Sequence, residues 1–433
     1  MNRRRVRAMA MAVTAALSLL VGACGEAEGP QMEPPQVEAP PDTIPASATR
    51  ADTLEWLAER TYADAQTTLY EDTIPACATC EIRLTPVGAF GTIDDRYLLR
   101  RVPIVERDSR GRFYATVREA TDQELILYEP DGTVVRQVGR LGGEGPGEFS
   151  RAIGSILVGP GDSLYVTHDY DRLSVFDSSG VSARAVRLRS GVSFTPYLVR
   201  VDDEGYLVAY RSVLRGAVAP DSEIARNRLH LFAHDGRHLR SYGGLGMVDL
   251  RHLLRTNEPH FAGPTDAWAT VGGSVWLGTA LNYRLERINE RGSVDRAVGV
   301  VPPDSWNLSV RMDLHEEGAT IRIPFGRLLG FRQLSDRFGA AVLDIGSEDW
   351  ENVDRRTQSD GRYEAGVHQE LRDSVLDVMD LETGEVVARK RLTLPSYLMS
   401  DGTLYSVHED EVTGVVSVRA YEIELVGWDD STP

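Results

Sequence analysis

From about residue 81 the chain alternates short apolar, β-branched and aromatic runs with turns of Gly, Asp and Ser, the pattern of strands joined by tight connections. One unit recurs six times. A turn carrying Gly or Asp leads into a short apolar strand, as in RGRFYATV (110–117), GDSLYVTH (161–168), EGYLVAY (204–210), GGSVWLGT (272–279), DRFGAAVL (336–343) and DGTLYSVH (401–408). Most copies lead to a second strand that ends in a tight turn, such as ELILYEPDG (124–132) or RLSVFDSSG (172–180), and a third strand opens there. Copies start roughly 40 to 70 residues apart, close to the length of one propeller blade with its loops. The expected fold is all-β: a six-bladed β-propeller, with a seventh blade left open by the long gap between 292 and 384. The polar stretch 346–370 reads as an insertion. The sixth unit ends on VSVRAYEIEL (416–425) without an outer strand, whereas EIRLTPVGAFG (81–91), ahead of the first copy, has no blade of its own. The ring is expected to close through this N-terminal strand, giving a propeller over 77–427 and a short tail, 428–433.

The first 80 residues follow other patterns. MNRRRVRAMAMAVTAALSLLVGAC has a basic start, an apolar run from 8 to 21 and small residues before Cys24. Such a run is short for a membrane span and is flanked as a signal peptide is. Its ending, LLVGAC, resembles a bacterial lipobox, which implies cleavage after residue 23 and lipid attachment at Cys24; cleavage of an ordinary secretory signal nearby is the alternative. Gly25 after the cysteine, in place of Asp, points by the lipoprotein sorting pattern to the outer membrane. Residues 24–50, rich in Pro, Glu and Ala, lack the apolar content to fold and read as a tether. Residues 51–76 read as a short helical lead-in, on the spacing of Leu54, Leu57 and Tyr62.

Charge narrows the partners. The chain has 433 residues and a net charge of −18, and its bases are nearly all arginine, with Lys390 the sole lysine. Such a surface repels nucleic acid and anionic headgroups, so no nucleic-acid partner is expected and contact with the membrane is expected through the anchor alone. In an exported chain the spacing of Cys77 and Cys80 in PACATCEI favours a local disulfide. Haem attachment would need His where Glu81 stands, and a tetrahedral zinc site lacks two further ligands.

The stretch GRLGGEGPGEF (139–149), with the unit SILVGPGDSLYVTHDYDRLSVFDSSG after it, resembles the NHL-type repeat and the six-bladed propeller lipoproteins of soil and gut bacteria. In those, a CxxC-like opening and a GPGEF linker recur. The resemblance covers 77–425 and implies the fold; function stays open, because propellers host hydrolases, lyases, binding proteins and scaffolds alike.

Strands in a blade alternate in direction, so the tight turns gather on one face while the connectors between blades and the loops such as THDYDR gather on the other. The second, more elaborate face is the expected binding surface: Arg140, Glu144 and Glu148 on the glycine-rich linker, His168, Asp169, Asp171 and Arg172 in one loop, and Asn282, Tyr283 and Arg284 in another. His168, Asp169, Asp171 and Arg172 read either as a metal or polar-ligand cluster or as a loop whose acid and arginine pair with each other. Propellers resembling lactonases hold calcium in the channel with Asn, Asp and Glu, and the amidating-lyase relatives of NHL repeats hold zinc with histidines. This chain shows no matching set across blades, and the spacing of His168, His252, His260 and His408 specifies no site. No G-x-S-x-G elbow is present. The aromatic residues Phe261, Trp268, Trp276, Tyr283 and Trp306 suit sugar or peptide stacking if exposed, and core if buried. The glycine-rich linker is no phosphate loop: strand sequence follows it, it has no lysine, and Glu144 and Glu148 repel phosphate. The expected function is a binding or interaction module of the cell envelope, taking an envelope protein, peptide or carbohydrate and needing no cofactor. The alternative is a calcium- or zinc-dependent lactonase-like or lyase-like enzyme.

Overall fold

In the structure, a computed structural model, residues 66–428 are described apart from 71–73, 93–96, 100–101, 117–123, 144, 146, 150–152, 170, 190–195, 210–226, 245–265, 270–273, 280–281, 290–293, 301–312, 317–318, 323–326, 347–371 and 411. Two strands precede the first blade, β1 (Gln66–Tyr70) and β2 (Glu81–Phe90). Blade 1 is β3 (Ile104–Arg107), β4 (Phe113–Thr116), β5 (Glu124–Tyr128) and β6 (Val134–Leu141), with the two-residue β7 (Glu148–Phe149) against the end of β6. Blade 2 is β8 (Ile153–Val158), β9 (Leu164–His168), β10 (Arg172–Phe176) and β11 (Ser182–Arg187), and blade 3 is β12 (Tyr197–Val201), β13 (Tyr206–Ala209), β14 (Asn227–Phe232) and β15 (His238–Gly244). Blade 4 is β16 (Asp266–Ala269), β17 (Val275–Thr279), β18 (Asn282–Ile288) and β19 (Val294–Val300). A hairpin of β20 (Asp313–Glu316) and β21 (Ala319–Arg322) comes before blade 5, which is β22 (Arg327–Gln333), β23 (Phe338–Gly346), β24 (Arg372–Asp380) and β25 (Val386–Leu392). Blade 6 is β26 (Ser396–Leu398), β27 (Leu404–Glu409) and β28 (Val416–Val426), with β2 as its outer strand.

The six sequence copies are the second strands of the blades, not the first. The reason lies in burial. A second strand is covered on both faces, so every residue can be apolar and the run stands out in the sequence. On β13, Tyr206 and Val208 pack toward blade 2 while Leu207 and Ala209 pack toward blade 4. On β23, Ala341, Leu343 and Ile345 face blade 4 while Ala340 and Val342 face blade 6. Period-two alternation therefore distributes side chains between two cores. Every neighbouring pair of blades shares one hydrophobic cluster, including blades 1 and 6, so the ring is closed.

Closure through the N-terminal strand is as expected. β2 pairs antiparallel with β28 from Glu81 opposite Val426 to Phe90 opposite Val418. Phe90 stacks on Tyr128 of blade 1 at 4.6 Å between ring centroids. At the same seam, Val416 N donates to Leu99 O (2.7 Å) and the Tyr405 hydroxyl to Pro103 O (3.1 Å). The Cys77–Cys80 disulfide forms directly ahead of β2, and both cysteines pack on the core shared by blades 5 and 6. The helix expected over 51–76 is corrected in its described part: Gln66–Tyr70 is a strand, paired in parallel with β19 on the rim of blade 4. Residues 51–65 and the tether lie outside the described residues, as does the insertion over 347–370.

Candidate functional site

The linker that suggested a binding face is occupied with itself. Arg140 pairs with Glu148 (2.6 Å), and the other Glu148 oxygen accepts the Gly145 N–H (3.1 Å). Phe149 is wholly buried between blades 1 and 2, in the same cluster as Tyr114, Leu125 and Phe176. Gly139 is required beneath it, since a Cβ there would stand 2.5 Å from the phenyl ring. The glycines thus let a connector cross between blades and seat its wedge. Glu144 lies outside the described residues.

In the neighbouring loop Asp171 pairs with Arg187 (2.6 Å), so an acid and an arginine do pair there, the partner coming from β11. Asp169 and His168 turn inward. His168 Nδ1 lies 2.7 Å from Asp169 Oδ2, and Nε2 lies 2.9 Å from Ser174 Oγ. The tautomer that fits donates Nδ1–H to the carboxylate and accepts the Ser174 hydroxyl at Nε2. Sequence reading missed this Ser–His–Asp order, because Ser174 sits within the strand motif RLSVF. The arrangement has the connectivity of a nucleophile, base and orienting acid, yet His168 is 2% exposed, Ser174 1%, and Phe149 packs edge-on against the imidazole at 4.9 Å. Burial pushes the imidazole below its ordinary pKa and keeps it neutral. The three side chains stitch β9 to β10 and offer no surface to a ligand.

The second expected loop gives the same outcome. Tyr283 is buried in the core shared by blades 4 and 5, its hydroxyl donating to Asp377 (3.0 Å), which Arg389 also grips at 2.7 Å through two nitrogens. Arg284 pairs with Glu286 (3.0 Å). Trp276 is 1% exposed and packs on Phe331, so it contributes to core and not to a stacking surface. His408 is exposed at the end of β27. The side chains of Asn282 and Trp268, and residues His252, His260, Phe261 and Trp306, lie outside the described residues.

A cavity of about 260 Å³ occupies the axis itself. Its lining comes from the ends of five inner strands: Glu106 on β3, Ile156 to Gly159 on and after β8, Tyr197 to Val201 on β12, Arg332 on β22, and Ser400 and Asp401 after β26. Gly159, Ser400 and Asp401 belong to tight turns, so the cavity sits toward the tight-turn end of the channel, opposite the elaborate face on which a site was expected.

Glu106 is the centre of this lining. It is 5% exposed, and its carboxyl accepts the Ser400 backbone N–H (3.0 Å) and the Ser400 hydroxyl, joining blade 1 to blade 6 at the axis. Burial pushes its pKa up to about 7, with Arg332 opposing the rise. Arg332 is 7% exposed; its Nε donates to Met399 O (2.6 Å) and one terminal nitrogen to Phe331 O (2.7 Å). Other charges at the rim are already matched: Arg107 with Glu422 (3.1 Å), Arg200 with Asp202 (2.7 Å). A perturbed carboxyl in a concave site marks a functional candidate. Calcium does not fit it. Among the described lining residues the carboxyls are Glu106 and Asp401; Asp401 is turned to the Thr403 N–H and hydroxyl, both 2.9 Å, and Arg332 faces Glu106. Among the described residues no group of three or more His, Cys, Asp or Glu is placed to hold a metal.

The fold and this cavity define the class: a six-bladed β-propeller with a charged axial site. No protein-family model matches the chain, and no curated protein matches its sequence. Solved structures similar to it include a protein of Bacteroides fragilis described as exported, at 10% identity and a TM-score of 0.48 over 83% of this chain and 99% of that one. A member of the DUF4221 family from Bacteroides vulgatus shows 10% identity and a TM-score of 0.49 over 79% of this chain and 99% of that one. A virginiamycin B lyase from Staphylococcus aureus shows 10% identity and a TM-score of 0.42 over 79% and 99%. These likenesses concern architecture. Among the described residues no helix is long and apolar enough to cross a membrane.

Proposed function

We propose that the protein is a ligand-binding propeller of the NHL type, held in the cell envelope by a lipid at Cys24, and that its ligand enters the axial cavity. The observation that carries the reading is the axial cavity of about 260 Å³ on which a buried carboxyl and a buried guanidinium both border. A space of this size holds a small polar molecule and not a folded partner, since pockets for drug-sized ligands start at about 300 Å³. The expected peptide or carbohydrate is therefore a short unit, or the end of a longer chain. A thermal-shift screen of small polar metabolites tests it. Ligands that raise the melting temperature of the wild type are expected to leave Arg332→Met unmoved, because a ligand held only by the native state stabilises it by about 2.7 kcal/mol at one hundred times its Kd. Ligands that shift both proteins alike, or none that shifts the wild type, would count against the cavity.

Anchoring rests on the lipobox-like LLVGAC, on Gly25 after the cysteine, and on the tether composition of 24–50. These support an outer-membrane lipoprotein facing the periplasm or the cell surface. Cys24→Ser is expected to move the protein from the membrane to the soluble fraction and to abolish the lipid mass increment. A variant that still fractionates with membranes would refute the anchor.

A further inference from the structure

Within that cavity reading, the two buried charges do not satisfy each other. Among the described residues no carboxylate lies within ion-pairing distance of Arg332, 4.0 Å, even though Glu106 faces it across the same space. Two of its guanidinium nitrogens are committed to the carbonyls of Met399 and Phe331, which fix the plane of the fork; Nη2 has no protein acceptor among the described residues. A buried guanidinium with no carboxylate at hydrogen-bonding distance is costly, whereas Arg107 and Arg200 nearby are paired. Among the described residues Glu106 accepts hydrogen bonds from Ser400 only, and a carboxyl has capacity for further donors beyond the two it accepts there. Between these ends run the edges of β8 and β12, where the Ile156, Leu157, Leu198 and Val199 side chains pack into the cores between blades and Tyr197 and Arg200 also border the space.

We infer that the axial cavity binds a zwitterion of free-amino-acid size, its carboxylate on Arg332 and its ammonium on Glu106, with its short body along the edges of β8 and β12. A ligand with both charges completes both buried groups at once. A ligand with one charge leaves the other group uncompensated, and a neutral one leaves both.

Calorimetric titration with glycine, β-alanine, acetate, glycinamide and glycerol tests this on the intact protein. Glycine or β-alanine is expected to bind roughly tenfold or more tightly than acetate or glycinamide, as suits one lost hydrogen bond to a charged group. Glycerol is expected not to compete. Glu106→Gln, which keeps an oxygen for Ser400, is expected to bring glycine down to the affinity of acetate while acetate itself is unchanged. Arg332→Gln is expected to bring glycine down to the level of glycinamide while glycinamide is unchanged. If Arg332→Gln fails to fold, the wild-type panel and Glu106→Gln still decide. Acetate, glycinamide or glycerol binding as tightly as glycine would overturn the zwitterion and leave the cavity reading standing. Absence of binding by every probe would overturn the zwitterion, and a negative metabolite screen alongside it would remove the cavity reading too.

Discussion

A chain that starts at Thr92 is expected not to form a stable ring. It would lack β2, whose residues pair along β28 from Glu81 to Phe90 and supply the outer strand of blade 6. Ile82 and Phe90, each 2% exposed, would leave two cores at once: Ile82 belongs to the cluster between blades 5 and 6, Phe90 to the one between blades 6 and 1. Losing large buried side chains costs about 2–5 kcal/mol each, and a whole domain is stable by only about 5–15 kcal/mol. The truncated chain also exposes the edge of β28, a template for association with other chains. Circular dichroism should show no cooperative melt, and size exclusion should show aggregates. A chain starting at residue 74, which loses β1 from the rim of blade 4 and keeps Cys77, Cys80 and β2, should still melt cooperatively. If the chain from Thr92 melted like the full protein, closure by the N-terminal strand would be wrong.

Replacing Glu106 by Gln is expected to stabilise the protein at pH 8 and to leave it nearly unchanged near pH 4. The carboxyl is raised in the folded state from about 4.5 to about 7, so the folded state holds its proton longer than the unfolded state does. Below pH 4.5 both states are protonated and the stabilisation is complete. As pH rises toward 7 the unfolded chain loses its proton first and stability falls, by a total of about 3 kcal/mol at 1.4 kcal/mol per pH unit. Gln does not ionise, and its amide oxygen accepts the same two Ser400 donors, so the variant escapes this loss. Urea unfolding of both proteins at pH 4 and pH 8 measures the difference. Parallel stability at the two pH values would show that Glu106 is not buried as described.

The fold was readable because propeller blades repeat and because a strand buried on both faces is apolar without interruption. Runs such as LYVTH and FGAAVL mark the second strands; the inner strands, such as IVER and SYL, are short and mix polar with apolar residues, so they carry little signal of their own. The spare strand at 81–91 was recognisable because blade 6 lacked one. The cavity was not. Glu106 and Ser400 are 294 residues apart in the chain, and only ring closure brings them together. One trace was present: Arg107, Arg200 and Arg332 each stand six residues ahead of Phe113, Tyr206 and Phe338 at the start of a second strand. That shared spacing placed charge at the ends of three inner strands. The chemistry-bearing residues of the other face stand in its loops, where His168, Asp169 and Tyr283 are satisfied by one another, Ser174 and Asp377 inside the blades.

Glu106 lies buried at the axis and lines a charged cavity there. Its ionisation tests this directly, because a glutamate in open solvent titrates near its ordinary value while a buried one does not. Selective ¹³C labelling of glutamate side chains, with Glu106→Gln to assign the signal, allows the Glu106 carboxyl to be followed by NMR from pH 4 to pH 9. A midpoint at about 7 is the result expected from its burial beside Arg332; a midpoint near 4.5 would contradict the cavity.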